Sequence, residues 1–178
     1  HEAEVNLEFV DSEELEVDNV GERLEGCDGV LVPGGFGERG MDGKMEAIRY
    51  AREAEIPFFG ICLGMQLAIV EFARHVAGLD DANSSEFDES TPHPVVSLMP
   101  EQQEIDAKGA TMRLGAYPCE LRSGTQTVDI YGGVDAIDER HRHRYEVNND
   151  YRERLAEAGL VVSGTSPDDV LVEMIELE

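Results

Sequence analysis

The chain has 178 residues, 41% of them hydrophobic, and its 39 acidic against 14 basic residues give a formal net charge of −25. So acidic a surface repels a phosphate backbone, which argues against nucleic acid as a partner. The hydrophobic content, with its periodic segments, indicates a packed domain and not a disordered chain. Three cysteines without paired spacing, and the lack of an apolar run of about 18 residues, predict a soluble cytoplasmic protein without a disulfide framework or a membrane partner.

The first half of the chain alternates predicted strands and helices. A buried strand over 29–32 ends in the glycine-rich loop 33–37, and a helix that Asp42 caps runs to about residue 54. A second strand follows over 58–61. This order of strand, helix and strand predicts a parallel sheet with right-handed crossovers, whose functional sites lie at the carboxyl ends of the strands.

The second strand leads into a helix through Gly60-Ile61-Cys62-Leu63-Gly64. This pattern predicts a nucleophile elbow, a sharp turn flanked by glycines because side chains there would collide with the neighbouring strand and helix. The helix, predicted from Leu63 to about Val76, directs its first N–H groups at the sulfur and favours a thiolate. The alternative is a buried structural cysteine at a tight turn.

The second half of the chain is predicted to begin with a long loop over 77–115 and to continue mainly as short strands. The predicted strands are 95–98, 119–121, 127–130, 142–147, 160–164 and 170–175, with one helix over 151–158. We therefore expect a single α/β domain with a mainly parallel central sheet and a small antiparallel insertion.

The elbow needs a carbonyl substrate and donors for the oxyanion that forms when a thiolate attacks it. The N–H of Leu63 and one from the Gly34-Gly35 turn could supply these donors. Three arginines and two histidines crowd into residues 140–144, where a guanidinium fork could hold a substrate carboxylate. Alternatively, these arginines only neutralise an acidic surface.

Five segments together resemble the glutaminase domain of the CTP synthase family, and the resemblance spans nearly the whole chain. They are Pro33-Gly34-Gly35-Phe36-Gly37-Glu38-Arg39-Gly40, Gly60-Ile61-Cys62-Leu63-Gly64-Met65-Gln66, Ala82-Asn83-Ser84-Ser85-Glu86-Phe87, Thr111-Met112-Arg113-Leu114-Gly115 and Arg140-His141-Arg142-His143-Arg144-Tyr145-Glu146-Val147-Asn148. The elbow alone would indicate only the class I glutamine amidotransferase superfamily, with its flavodoxin-like fold. The arginine and histidine strand and the segment Met112-Arg113-Leu114-Gly115 are more specific to this family.

The resemblance implies that Cys62 hydrolyses L-glutamine through a thioester and that the ammonia serves an ATP-dependent amination of UTP to CTP. It also implies roles for further residues in binding glutamine or its oxyanion: Gly35, Leu63, Gly64, Met65, Gln66, Glu86 and Arg144. Glu86 suits the ammonium group of glutamine and Arg144 its carboxylate. Phe36 and Arg39 resemble the part of the family that responds to GTP, the allosteric activator, although Phe36 could equally pack beside the glycine turn.

The chain also departs from the family pattern. The family completes its catalytic triad with the histidine and glutamate of a His-Pro-Glu motif, and here the only His-Pro pair is His93-Pro94, followed by valine. Nor is there a phosphate-binding loop. We therefore expect a partial glutaminase domain over 1–178, inactive or weakly active alone, with the His-Pro-Glu segment and an amino-terminal synthetase domain, which binds ATP and Mg²⁺, outside it.

Several expectations follow from this interpretation. The partners are glutamine and the synthetase domain of the same polypeptide, in a homotetramer. The chain itself holds no metal and no cofactor. The acidity predicts a halophilic and archaeal source, since screening by salt removes the repulsion between carboxylates. Two other functions stay open: another class I amidotransferase or a γ-glutamyl hydrolase, and a glutamine-binding or assembly module without catalysis.

Overall fold

The computed structural model describes residues 3–98 and 113–177. The chain divides into two compact units, His1–Leu67 and Ala68–Glu178, and the division falls within a helix. No helix among the described residues is both long enough and apolar enough to cross a membrane.

The first unit is a short alternation of helices and strands. A 3-10 turn at Ser12–Glu14 precedes α1 (Val20–Arg23), β1 (Val30–Val32), α2 (Met41–Glu53), β2 (Phe58–Gly60) and the start of α3 (Leu63–His75). Strands β1 and β2 pair in parallel, with Leu31 opposite Phe59. Both helices α1 and α2 contribute to a core cluster that buries Leu15, Val20, Leu24 and Ala47.

The second unit continues from α3 into two sheets. Its elements are β3 (Ala82–Ser84), β4 (His93–Leu98), β5 (Arg113–Leu121), α4 (Gln126–Ile130), β6 (Ala136–His143), β7 (Tyr145–Val147), α5 (Arg152–Glu157), β8 (Val161–Thr165) and β9 (Val172–Glu176). One sheet has the order β3-β4-β7 and the other the order β6-β5-β8-β9. Leu155, Val95, Val96 and Val172 are among the fully buried side chains of this unit.

The parallel pairing is less extensive than predicted. In the part of the chain that the structure describes, only β1 with β2 and β3 with β4 are parallel, while the four-stranded sheet is antiparallel throughout. The reason is that β5 pairs with β6 over eight residues and β8 returns directly into β9. The antiparallel sheet, predicted as a small insertion, is therefore the largest of the three sheets in the described residues.

Three local predictions were wrong. Residues 126–130 form helix α4 and not a strand, because the carboxylate of Glu176 accepts hydrogen bonds from the N–H groups of Gln126 and Thr127 at its start. The loop predicted over 77–115 contains strand β3 and the first residues of β5, and its residues 99–112 lie outside the described ranges. Helix α2 begins at Met41 with Gly40 as its cap, in the left-handed conformation at φ +63°, so Asp42 lies inside the first turn.

Candidate active site

Cys62 lies at the turn between β2 and α3 with φ +54°, a conformation that costs an L-residue energy. Hydrogen bonds hold the turn on both sides. The N–H of Ile61 donates to the carbonyl of Val32 at 3.0 Å, and the N–H of Gln66 donates to the carbonyl of Cys62 at 3.0 Å. This is the geometry of a nucleophile elbow, as the glycine pattern predicts.

The two glycines of the elbow are there for steric reasons. A Cβ on Gly60 would lie 2.6 Å from the carbonyl carbon of Gly64 and 2.7 Å from the nitrogen of Met65. A Cβ on Gly64 would collide with the carbonyl oxygen of Val32. The predicted collisions are therefore confirmed: Gly60 lets the strand approach the helix, and Gly64 lets the helix approach β1.

The glycine-rich loop after β1 lies beside the elbow. A Cβ on Gly34 would be 3.5 Å from Cβ of Cys62, and one on Gly35 would be 3.3 Å from Cδ2 of Leu63. The loop and the elbow meet because β1 and β2 are parallel neighbours, so their carboxyl ends share one edge. The structure thus brings Gly35, Cys62 and Leu63 together, as the oxyanion prediction requires.

The environment of Cys62 is suited to a reactive sulfur. The residue is partly exposed, and it directly precedes the 13-residue helix α3, whose N-terminal end stabilises negative charge. No disulfide joins Cys27, Cys62 and Cys119. The predicted binding residues that follow occupy the first turn of α3: Leu63, Gly64 and Gln66 are buried and Met65 is half-buried.

Phe36 lies in the glycine-rich loop and Arg39 two residues after it, and both are exposed. Phe36 is 68% exposed, so only a minor part of its side chain packs beside the glycine turn. Arg39 donates a hydrogen bond from Nε to Oε2 of Glu13 at 2.8 Å. That bond holds the pKa of Glu13 below its usual value and raises the pKa of Arg39. Their predicted response to GTP stays a prediction.

Glu86 belongs to the second unit, in the turn that follows β3. Its N–H donates to Oγ of Ser84 at 3.2 Å, and Ser84 is 1% exposed. The N–H of Phe87 donates to the carbonyl of Ser84, which closes the turn. Partial burial raises the pKa of Glu86. A carboxylate with little water around it gains more from a bound ammonium group than one in bulk solvent does.

Arg144 stands at the bend between β6 and β7 and is exposed. Strand β4 is parallel to β3 and antiparallel to β7, with Leu98 opposite Tyr145. The end of β3 and the start of β7 therefore lie at the same end of this sheet. Glu86 and Arg144, the residues expected to bind the ammonium and the carboxylate of glutamine, both occur there.

The inward side of the arginine and histidine strand carries contacts that were not predicted from the sequence. Exposure alternates along β6, so that Arg140 and Arg142 are exposed while His141 and His143 are partly buried. The two histidines contact the buried carboxylates of Glu173 and Glu146. The strict alternation of arginine and histidine was a signal that could have predicted this inner face. Within residues 3–98 and 113–177, no group of three or more His, Cys, Asp or Glu residues is arranged to hold a metal ion.

Comparisons with known proteins agree with this geometry. The family model "Glutamine amidotransferase class-I" matches residues 1–178. The CTP synthases of Syntrophus aciditrophicus and Moorella thermoacetica are 59% and 60% identical over 100% and 99% of the chain. The chain spans about a third, 33%, of the length of each of these relatives.

A solved structure gives the same assignment. The glutaminase domain of Trypanosoma brucei CTPS, with bound acivicin, superposes with a TM-score of 0.90 at 44% sequence identity. The match covers 98% of this chain and 68% of that one. The chain therefore belongs to the class I glutamine amidotransferase family, and within it to the glutaminase domains of CTP synthase.

Proposed function

We propose that this chain supplies the nucleophile, Cys62, with which the full-length protein hydrolyses L-glutamine and releases ammonia. The observation that carries the proposal is the strained conformation of Cys62, at φ +54°, on a turn whose glycines admit no side chain. A residue keeps such a conformation only where the surrounding structure enforces it, and such residues cluster at active sites.

The proposed reaction has two steps. The thiolate of Cys62 attacks the side-chain amide carbon of glutamine, and the oxyanion accepts hydrogen bonds from the N–H of Leu63 and from the Gly34-Gly35 turn. The tetrahedral intermediate then collapses: the C–N bond breaks, the nitrogen takes a proton from the protonated general base and leaves as ammonia, and a γ-glutamyl thioester of Cys62 remains. Water attacks the thioester, the C–S bond breaks, and glutamate leaves while the thiol is restored.

The substrate is held at both charged ends in this proposal. Arg144 binds the α-carboxylate through its guanidinium fork and Glu86 binds the α-ammonium group, as their shared end of the sheet allows. Gly64, Met65 and Gln66 line the side-chain amide from the first turn of α3. Cysteine nucleophiles act with a general base, and we assign that role to the His-Pro-Glu motif of the family, outside these 178 residues.

The fate of the ammonia belongs to the larger protein. Because the relatives are three times as long as this chain, we propose that a synthetase domain of the same polypeptide uses the ammonia to convert UTP to CTP with ATP and Mg²⁺. GTP activates glutamine hydrolysis through the segment with Phe36 and Arg39, and the whole protein assembles as a homotetramer. The chain by itself is expected to be inactive or weakly active.

Labelling with a glutamine-mimicking electrophile tests the nucleophile. Acivicin is the first choice because the Trypanosoma brucei relative binds it. In the full-length protein, mass spectrometry should find the label on Cys62, and Cys62→Ala should abolish both labelling and glutaminase activity. Cys27→Ala is the matched control, since Cys27 has the same partial burial without the elbow, and it should change neither. A protein that is labelled at Cys27 but not at Cys62 would refute the assignment.

The same protein distinguishes the two other functions. Transfer of glutamine nitrogen to UTP, followed with ¹⁵N-labelled glutamine, is expected for CTP synthase and not for another amidotransferase or a γ-glutamyl hydrolase. A binding or assembly module without catalysis would bind glutamine and leave Cys62 unlabelled.

The source organism is a separate proposal. The charge of −25 supports a salt-adapted origin, because carboxylates at this density repel one another unless salt screens them. The two curated CTP synthases named above, from Syntrophus aciditrophicus and Moorella thermoacetica, are bacterial, so the archaeal assignment stays a prediction that rests on composition alone.

A further inference from the structure

The glycine-rich loop continues through residues 38–40 into α2, and this downstream end packs against the 3-10 turn at Ser12–Glu14. Two glycines form the contact. A Cβ on Gly40 would collide with Oγ of Ser12, and one on Gly43 would collide with the carbonyl oxygen of Ser12. The turn and the start of α2 therefore approach each other as closely as they can only because no side chain stands between them.

Polar contacts hold the same junction from two sides. Nε of Arg39 donates a hydrogen bond to Oε2 of Glu13 at 2.8 Å, and Nη2 of Arg39 donates to the same oxygen. Nζ of Lys44, in the first turn of α2, donates to the carbonyl oxygen of Arg39 at 2.7 Å. The side chain and the backbone of Arg39 are thus each held by a contact of their own.

The 3-10 turn is in turn held by its own neighbours. Oδ1 of Asp11 accepts a hydrogen bond from the N–H of Glu13 at 3.0 Å, and Nδ2 of Asn19 donates to the carbonyl oxygen of Glu14 at 2.9 Å. The next residue, Leu15, is 7% exposed and belongs to the core cluster of the first unit. Because the turn is fixed to the core, it can hold the segment that packs against it.

The upstream end of the glycine-rich loop is held at the elbow, where Gly34 lies beside Cys62 and Gly35 beside Leu63. The loop is therefore fixed at both ends, and the N–H donor proposed for the oxyanion lies between them. Such a donor acts only where its position is set before the reaction, and a misplacement of about 1 Å can cost about 100-fold in rate.

We propose that the Ser12–Glu14 turn is a positioning element of the active site, which holds the glycine-rich loop so that an N–H of Gly34-Gly35 points at the oxyanion. Glu13 acts through Arg39, and Gly43 acts by admitting the carbonyl of Ser12. The proposal rests on the glutaminase function proposed above, from which the oxyanion comes, whereas the packing of the turn against α2 stands without it.

Gly43→Ala tests the packing in the full-length protein, because its Cβ would push the turn away from α2. The oxyanion exists only during the reaction, so kcat for glutamine hydrolysis should fall about 10- to 100-fold while KM changes less than about twofold. Expressing kcat per Cys62 that acivicin labels removes any loss of folded protein from this value.

Gly21→Ala is the matched control for this substitution. It makes the same exchange on α1, where the nearest atom to the new Cβ is Cε2 of Tyr50 on α2, at 3.4 Å. That distance is ordinary van der Waals contact with a side chain that can move, so kcat and KM should both stay as in the wild type.

Substitutions of Glu13 give a milder test that leaves the packing in place. An exposed ion pair contributes up to about 1 kcal/mol, so Glu13→Ala should lower kcat about two- to fivefold. Glu13→Gln keeps an acceptor oxygen for Arg39 and should restore most of the rate. The control is Glu53→Ala, which removes the carboxylate that accepts from Nε of Arg49 at the other end of α2 and should leave kcat unchanged.

Hydrogen exchange followed by mass spectrometry gives a readout that does not depend on catalysis. Residues 33–44 should exchange faster in Gly43→Ala and Glu13→Ala than in the wild type, and at the wild-type rate in both controls. Wild-type kcat in folded Gly43→Ala and Glu13→Ala proteins, or unchanged exchange in both, would overturn the positioning role. A wild-type protein that leaves glutamine intact would refute the proposed function, while the exchange rates would still decide whether the turn holds the loop.

Discussion

The strain at Cys62 can be measured by replacing the residue with glycine and with alanine. Alanine keeps the Cβ atom that makes φ +54° unfavourable, whereas glycine removes it. Relief of the left-handed conformation favours glycine by about 1–2 kcal/mol. The greater freedom of glycine in the unfolded chain takes back about 0.4–1 kcal/mol.

We therefore expect Cys62→Gly to be more stable than Cys62→Ala by about 0.5–1 kcal/mol, which is roughly 1–4 °C in Tm for a protein of this size. Both variants lack the thiol and should be inactive. The assay is thermal and urea unfolding followed by circular dichroism, with glutaminase activity measured on the same samples.

The same exchange of alanine for glycine at a helical position should change stability in the opposite direction. Ala156 is exposed on α5, where φ is negative, so Ala156→Gly should be destabilising by about 0.5–1 kcal/mol. If Cys62→Gly were less stable than Cys62→Ala by the same margin, the elbow would carry no strain. The structural argument for a nucleophile at this position would then fail.

Three further predictions address steric fit and titration. Gly64→Ala should destabilise the fold by about 1–3 kcal/mol, because its Cβ would collide with the carbonyl oxygen of Val32 in β1. Gly29→Ala is the control: its Cβ would have no contact closer than 3.4 Å, so the midpoint of urea unfolding should change little. Burial raises the pKa of the Glu86 carboxyl above its unfolded value of 4.5. The protonated carboxyl therefore stabilises the fold below pH 4.5, and this contribution is lost as pH rises through the raised pKa. The Glu86→Gln protein should be more stable than wild type at pH 7 and equally stable below about pH 4, and its KM for glutamine should be higher. Burial and the hydrogen bond to Glu139 raise the pKa of Tyr131 to about 12. Ultraviolet titration should therefore show one tyrosine that ionises near pH 12, and Glu139→Gln should lower the pKa of this tyrosine. The contribution of Tyr131 to stability should be lost as pH rises from 10 to about 12.

The elbow could be predicted from the sequence because its causes are local. Two glycines four residues apart around a cysteine are required by contacts between adjacent elements, so the residues themselves report the geometry. Helices α2 and α3 were predicted to within two residues for the same reason, since their apolar spacing and end signals lie inside each segment.

The predictions failed where residues distant in the sequence determine the local structure. Helix α4 begins at Gln126 because Glu176, 50 positions along the chain, accepts hydrogen bonds from its first N–H groups, and no pattern within 126–130 reports this. Strand β3 is only Ala-Asn-Ser, without a β-branched or aromatic residue, and it forms because β4 lies alongside. The two histidines of β6 contact carboxylates from β7 and β9, so alternation on β6 alone could predict its inner face but not these contacts.

The acidic composition lowers the stability of this fold through repulsion between exposed carboxylates, which salt screens. The buried carboxylates are not screened in this way. The screening length falls from about 30 Å at 0.01 M to about 3 Å at 1 M salt, which removes repulsion between exposed groups and leaves buried pairs such as Glu173 with His141 nearly unchanged. Melting temperature should therefore rise from dilute buffer to molar KCl. Replacing Glu8, Glu16 and Glu25, which are exposed, by glutamine should raise it in dilute buffer and have no effect in molar KCl. A melting temperature that stays flat or falls with KCl, or a triple variant that is equally stabilised at both salt concentrations, would show that repulsion between surface carboxylates does not limit the stability of this fold.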